Sequence, residues 1–204
     1  MAKPGMKTST VRVRRPLVLW ALLALPAAWP VWLLAAGNGW GAATRPTGDI
    51  ATKLMIVALA IGPLAAVAPR WPWLDWMRRH RRSFGVAAFL YALFHMIVFA
   101  LSIGRLDWIV QGMAYASMWT GWLAFAGLIV VAAVSNDASV RRLGRTWKRV
   151  QRLVYPAALL TLAHWLLLSR SWTEALVHFV PLGLLFAARE WRRRARSVQG
   201  RTAP

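Results

Sequence analysis

The sequence lacks cysteine and contains only 6 acidic residues in 204 positions. Without cysteine, the chain forms no disulfides and offers no thiolate to haem iron or to an iron–sulfur cluster. No low-complexity tract, internal repeat or glycine-rich phosphate loop stands out along the chain. These absences leave the 4 histidines as the main candidates for chemistry.

Apolar residues make up 58% of the chain, which has 14 tryptophans and a mean hydropathy of +0.45. A run of about 17–25 apolar residues is long enough to cross a hydrocarbon core about 30 Å thick. Because lipid forces backbone groups to hydrogen-bond within each span, we expect an all-α, polytopic membrane helical bundle. The predicted transmembrane helices, about six in number, cover residues 17–36, 50–69, 84–103, 119–134, 150–168 and 174–189.

The charged residues, 26 basic against 6 acidic, are concentrated in alternate loops. Basic residues cluster in an N-terminal segment (1–16), in the loops after the second and fourth spans, and in a tail (190–204). By the positive-inside rule, this pattern predicts one transmembrane domain at 17–189 with both termini in the cytoplasm. Because topology and anionic lipid account for the positive charge, we expect the lipid bilayer as a partner and no nucleic acid.

The first span also has the basic flank and the small residues of a secretory signal peptide. However, its apolar run of about 20 residues is longer than the core of a typical signal peptide. It also carries Trp20, Trp29 and Trp32. We therefore expect this span to be retained as a membrane helix.

Two histidines, His95 and His164, lie deep inside separate predicted spans. Ionisable residues within a membrane are costly, face the bundle interior and usually serve function, and neutral imidazole is a common axial ligand of haem iron. At 1.5 Å of rise per residue, His95 lies about 16 Å and His164 about 21 Å from the predicted inner ends of their helices. Their similar depth, in the middle to outer half of the membrane, predicts that they bind one haem from both faces.

Small residues precede both histidines at helical spacing. Gly85, Ala88 and Ala92 precede His95, and Ala157 and Thr161 precede His164. They either leave a slot for a flat macrocycle or allow the helices to pack closely. A histidine within a span can also be a hydrogen-bonding residue or part of a proton relay, but no predicted span contains a carboxylate partner, which favours haem.

The other two histidines lie near the predicted membrane surfaces. His80 belongs to the basic run MRRHRRS, where we expect it to face solvent or lipid headgroups unless it serves a second, inner haem. His178 lies near the outer end of the last span, about 6 Å along the helix from Glu174. We expect an interfacial role for His178, with contact to a haem propionate or a periplasmic partner as the alternative.

Three stretches carry a resemblance to a known family: TGDIATKLMIVALAIGPLAAVAPR, RRSFGVAAFLYALFHMIVF and RRLGRTWKRVQRLVYPAALLTLAHWLL. With them, the chain resembles the haem-binding membrane subunits of bacterial periplasmic methionine sulfoxide reductase systems (the MsrQ, formerly YedZ, family), within the ferric-reductase-like transmembrane superfamily. The resemblance covers most of residues 47–168 and implies that His95 and His164 occupy haem-ligand positions. The family motif has a histidine where this chain has Gln151, and an amide is a poor ligand for haem iron. We therefore expect one haem, because an inner haem would depend on His80 or on an exogenous ligand.

The resemblance implies a multi-pass subunit of the bacterial inner membrane that conducts electrons and has no substrate-converting site of its own. Electrons would come from a cytoplasmic flavin reductase or from membrane quinol, pass through haem b and bound FMN, and reach a periplasmic molybdopterin subunit that reduces methionine sulfoxide. The inner-face arginines, Arg82 among them, are candidates to bind FMN phosphate or haem propionates. Two alternatives remain: a ferric or cupric reductase-like conduit for another acceptor, and a small transporter or assembly factor that uses the histidines in a proton or metal path.

Overall fold

The computed structural model describes residues 11–169 and 172–202, so residues 1–10 of the predicted N-terminal segment lie outside the described residues. Within the described ranges the chain forms ten α-helices and one 3₁₀ turn, without strands, which confirms the predicted all-α class. The helices are α1 (Val11–Ala24), α2 (Ala28–Ala35), α3 (Gly39–Val67), α4 (Pro72–Ile103), α5 (Leu106–Gly112), α6 (Ala116–Ala133), α7 (Asp137–Leu143), α8 (Arg145–Gln151), α9 (Val154–Leu168) and α10 (Thr173–Thr202).

Four helical segments of the described chain are long and apolar enough to cross a membrane: Leu17–Ala35, α3, α4 and α6. The chain is therefore a membrane helical bundle. The last two predicted spans are shorter than expected. The predicted helix 150–168 is interrupted at Arg152 and Leu153, so that α9 has 15 residues and is about 22 Å long. In α10, the uncharged stretch extends only from residue 175 to residue 188, between Glu174 and Arg189.

Two helices begin well before the predicted starts of their spans. The structure begins α3 at Gly39 instead of residue 50, so the polar stretch with Arg45, Thr47 and Asp49 is helical and does not form a loop. Likewise, α4 begins at Pro72 instead of residue 84 and carries the basic run in its first turns. A proline in the first turn and Asp75 near the positive end of the helix dipole favour this early start.

The first span is a broken helix. Pro26 lies in a 3₁₀ turn (Leu25–Ala27) that joins α1 to α2, and the Ala28 N–H bonds to the Leu25 carbonyl. The hydroxyl of Tyr91 on α4 lies 3.0 Å from the Leu23 carbonyl and 3.2 Å from the Ala24 carbonyl. Since broken helices in lipid need substitute donors, Tyr91 stabilises the break and ties the first span to α4.

Two helix pairs form the centre of the bundle, with α3 packed along α4 and α6 packed along α9. Buried apolar side chains from both pairs and from α10 meet in one core, which includes Leu59, Ala88, Leu128, Ala157 and Phe179. The chain direction places the basic run of α4, helices α7 and α8 and the C-terminal half of α10 at one end of the bundle, hereafter the basic end. The opposite end, where α3 and α6 begin and α4 and α9 finish, contains a cavity.

Candidate functional site

A cavity of about 650 Å³ opens between α3, α4, α6 and α9, and the first turn of α10 reaches its rim. This volume is within the range of about 300–1,000 Å³ that is usual for ligand sites. The walls are mainly apolar and aromatic, with Met55, Phe99, Trp122, Phe125 and Leu128 among the lining residues. Both predicted histidines, His95 and His164, line this one cavity.

His95 extends from α4 towards the first turns of α3. Its Nδ1 lies 2.8 Å from the Thr44 carbonyl oxygen. Because a carbonyl oxygen only accepts hydrogen bonds, Nδ1 carries the proton, and Nε2 of the neutral ring keeps its lone pair. The ring also packs on Gly48, where a Cβ atom would lie 3.0 Å from Nδ1.

His164 is held in the same way on the other helix pair. Its Nδ1 lies 2.5 Å from the Ser117 carbonyl oxygen on α6. The ring packs on Gly121, where a Cβ atom would lie 2.7 Å from Cε1. The proton is again on Nδ1, so the lone pair on Nε2 is available to an electrophilic centre.

Each imidazole has the hydrogen bond that usually supports a metal-ligating histidine. Such a ligand commonly donates its second ring N–H to a backbone carbonyl, which fixes the tautomer and the orientation of the ring. Here two rings with that arrangement border one largely apolar cavity. Chemically, the site offers two nitrogen ligands to a flat, apolar group that brings its own metal.

The small residues that precede the histidines were predicted either to leave a slot for a cofactor or to allow close helix packing. Ala92 and Thr161 line the cavity, as expected for a slot. Ala88 and Ala157 are buried in the core, as expected for close helix packing. Gly85 does neither, because open space surrounds it.

Carboxylates lie closer to the histidines than expected. Apart from Glu174, the first residue of the last one, no predicted span contained an acidic residue, but because α3 starts early, Asp49 is within a helix and lines the cavity. Glu174, from the first turn of α10, also lines it. The guanidinium of Arg45 is 2.6 Å from the carboxylate of Glu174, and both side chains are largely exposed at the rim. Arg45 is the cation that borders the cavity among the described residues.

The other two histidines are outside the residues that line the cavity. His178 is half-buried, and its Nδ1 lies 2.7 Å from the Glu174 carbonyl oxygen. Its ring is 5.6 Å, between centroids, from that of Trp165, which does line the cavity. His80 lies at the basic end, where its ring packs on Trp76 and its Nδ1 bonds to the Trp76 carbonyl. His80 therefore contacts its own helix.

Gln151 and Arg82, the other candidates for an inner site, have partners at the basic end. The amide nitrogen of Gln151 donates to the Val131 carbonyl at 3.2 Å and to the Ser135 hydroxyl at 3.1 Å, which ties α8 to the end of α6. Arg82 is 2.6 Å from Asp137 at the start of α7. This hydrogen bond, with the positive charge of Arg82, holds the pKa of the Asp137 carboxyl below its ordinary value.

Four residues that hold the histidine rings were missed in the sequence: Thr44, Gly48, Ser117 and Gly121. Thr44 and Gly48 belong to the stretch that was predicted to lie before the second span. A signal was present, however, because residues 43–48 read ATRPTG and residues 116–121 read ASMWTG. A search for short repeats on different helices would have found it.

Comparison with known proteins gives a consistent result. Residues 47–162 match the family of ferric reductase like transmembrane components. A protein of Ralstonia nicotianae named protein-methionine-sulfoxide reductase heme-binding subunit MsrQ is 32% identical over 182 residues, which cover 83% of this chain and 82% of that protein. The resemblance noted in the sequence is thereby confirmed. The chain therefore belongs to the ferric reductase like transmembrane family and, within it, to the MsrQ group.

Proposed function

We propose that the chain is a haem-binding subunit of the bacterial inner membrane that delivers electrons to a periplasmic methionine sulfoxide reductase. The observation that carries this proposal is the pair of imidazoles, one from each central helix pair, that border a single cavity. Membership of the MsrQ group supports the same conclusion, since the Ralstonia relative is named as a heme-binding subunit.

The residues of the cavity fit one haem b. His95 and His164 would bind the iron through Nε2, because Nδ1 of each ring donates to a backbone carbonyl. Apolar and aromatic walls suit the macrocycle, and Arg45 at the rim suits a propionate. When bound, the haem supplies a one-electron carrier, and two imidazole ligands leave no open position for oxygen chemistry.

The direction of transfer follows from the charges. By the positive-inside rule the basic end faces the cytoplasm, with both termini there and with α9 and α10 as two short spans beside the four long ones. The cavity then lies towards the periplasm. Electrons enter at the basic end from a cytoplasmic flavin reductase or from membrane quinol, and the arginines of that end suit the phosphate of bound FMN.

The acceptor is a periplasmic molybdopterin subunit that reduces methionine sulfoxide, and this chain converts no substrate itself. Conduits of the same construction can instead deliver electrons to ferric or cupric ions outside the cell. The cavity is common to both cases, so the test of the haem site and the test of the acceptor are separate experiments.

The haem site is tested by replacing its ligands. His95→Ala and His164→Ala should each abolish the dithionite-reduced b-type spectrum of the purified protein, because each removes one of the two imidazoles that would hold the haem. His178→Ala is the matched control, since it removes a histidine near the cavity that does not line it. Full haem retention in both ligand variants would contradict the proposal.

A further inference from the structure

We propose that residues 43–48 and 116–121 are two copies of one histidine seat, in which Thr47, Gly48, Thr120 and Gly121 are positioning residues. This proposal rests on the haem ligation proposed above and extends it from the ligands to the helices that hold them. The two segments share the pattern Ala-(Thr or Ser)-x-x-Thr-Gly. Each lies in the first two or three turns of a long helix at the cavity end, and each faces the histidine of the helix packed beside it.

The two segments also share one pattern of hydrogen bonds. In the first copy, the Thr47 hydroxyl is 2.8 Å from the carbonyls of Ala43 and Thr44, and the Thr44 carbonyl also accepts from His95. Thr47 is fully buried. Its hydroxyl lies 3.4 Å from Nδ1 of His95, so it is next to both partners of the hydrogen bond between His95 and the Thr44 carbonyl.

In the second copy, the Thr120 hydroxyl is 2.7 Å from the Ala116 carbonyl and 3.0 Å from the Ser117 carbonyl. The Ser117 carbonyl also accepts from His164. The sequence separation from the accepting residue to its histidine is similar, 51 in the first copy and 47 in the second. Each copy therefore presents one carbonyl that receives a threonine hydroxyl and an imidazole.

The glycine of each segment lies beside the carbonyl that accepts from the histidine. The carbonyl of residue i in an α-helix points towards the N–H of residue i+4, so side chains at i+3 and i+4 flank it. A ring from another helix approaches such a carbonyl most closely where the flanking residue at i+4 has no side chain. Gly48 and Gly121 occupy this position, and a Cβ at Gly121 would come within 2.8 Å of Nδ1 of His164. The threonine at i+3 then borders the ring on the other flank.

The seat fixes two properties of each ligand. The carbonyl holds the proton on Nδ1, and the glycine sets the plane in which the ring lies. A hydrogen bond to the ring N–H also makes the imidazole a stronger electron donor, which influences the reduction potential of a bound metal. Since the two seats sit on parallel helices, the fold presents both ligands to one cavity in equivalent ways.

The experiment compares alanine substitutions of three helical glycines. Gly121→Ala places a Cβ 2.7 Å from the His164 ring, Gly48→Ala places one 3.0 Å from the His95 ring, and Gly85→Ala meets nothing within 4 Å. We expect haem affinity to fall roughly tenfold or more in Gly121→Ala, less in Gly48→Ala and not at all in Gly85→Ala, as for other groups that orient metal ligands. Residual haem should show altered g-values in low-spin electron paramagnetic resonance and a shifted midpoint potential.

The threonine hydroxyl of the second copy is tested by two conservative substitutions at the same position. Thr120→Val should change the g-values and the midpoint potential, and Thr120→Ser, which keeps the hydroxyl, should restore both. Size-exclusion profiles in detergent identify any variant that does not fold. If Gly121→Ala fails to fold, the deciding measurement is ¹⁵N NMR of histidine in the haem-free wild-type protein, where we expect both rings protonated on Nδ1.

The outcomes separate the two proposals. Suppose that His95→Ala and His164→Ala lose haem but Gly121→Ala and Thr120→Val behave like Gly85→Ala. The positioning role of the two segments is then wrong, whereas haem ligation by the histidines is supported. Protonation on Nε2 in the haem-free protein would also overturn the seat. If the histidine variants keep their haem, the proposed ligation is wrong, and the seat loses its role with it.

Discussion

Removal of the Tyr91 hydroxyl tests how the broken first span is held to the bundle. Tyr91 is 6% exposed, and its single hydroxyl proton is shared between the carbonyls of Leu23 and Ala24. The Ala28 N–H, which would normally bond to Ala24, bonds to Leu25 instead. Tyr91→Phe therefore removes the side-chain hydrogen bond to the two carbonyls at the break while keeping the ring in place.

The expected loss is about 1 kcal/mol of unfolding free energy. Hydrogen bonds between membrane helices contribute about 0.6 kcal/mol on average and at most about 1.7 kcal/mol, and this one serves two carbonyls in an apolar setting. A loss of about 1 kcal/mol changes the unfolding equilibrium about fivefold. Haem content should remain at the wild-type level, because the hydrogen bond that orients His95 is made with Thr44 on α3 and not with the first span.

The measurement is reversible unfolding in mixed detergent micelles, followed by circular dichroism. Tyr155→Phe is the matched control, because that side chain is 38% exposed and its hydroxyl makes no hydrogen bond within the described residues. We expect the control to stay within about 0.5 kcal/mol of wild type, as surface substitutions do. Equal losses in the two variants would refute the role of the Tyr91 hydroxyl at the break.

Three further predictions concern the cofactor and the partner. Arg45→Gln should lower haem occupancy in a pyridine-haemochrome assay. Glu174→Gln should keep or raise the occupancy, because this change frees Arg45 from its ion pair. Equal occupancies in the two variants would show that Arg45 does not bind the haem. Gln151→His should raise the number of haems per chain in the same assay, whereas two haems already present in the parent would contradict our reading of the basic end. Deletion of the gene should leave oxidised methionine unrepaired on periplasmic proteins after hypochlorite stress, as measured by mass spectrometry, and normal repair without induction of another enzyme would point to a different acceptor.

The apolar runs predicted the long helices because membrane insertion depends on summed hydrophobicity, which a sequence displays directly. The span 84–103 lies within α4, and the first span matches Leu17–Ala35 closely. The boundaries were wrong where polar residues are buried inside the bundle. Thr47 is fully buried and Asp49 lines the cavity, but both resemble loop residues when read one position at a time.

The two cavity histidines could be predicted because an ionisable group inside a span is rare and costly. Their supports could not be predicted by the same reasoning. Thr44 and Ser117 act through backbone carbonyls, which every residue has, and Gly48 and Gly121 act by lacking a side chain. Such roles depend on which helix packs beside which, and that pairing emerges only in three dimensions.

The placement of the two ligands on separate helix pairs has a consequence for the life of the protein in the cell. Under the proposed ligation, one haem links the pair α3–α4 to the pair α6–α9, and a ligand that binds only the folded state stabilises it in proportion to the logarithm of its concentration. When haem is scarce, the two pairs separate more readily and become accessible to membrane proteases. The abundance of this subunit would then follow the supply of haem, so that the cell keeps the conduit only when it is able to carry electrons.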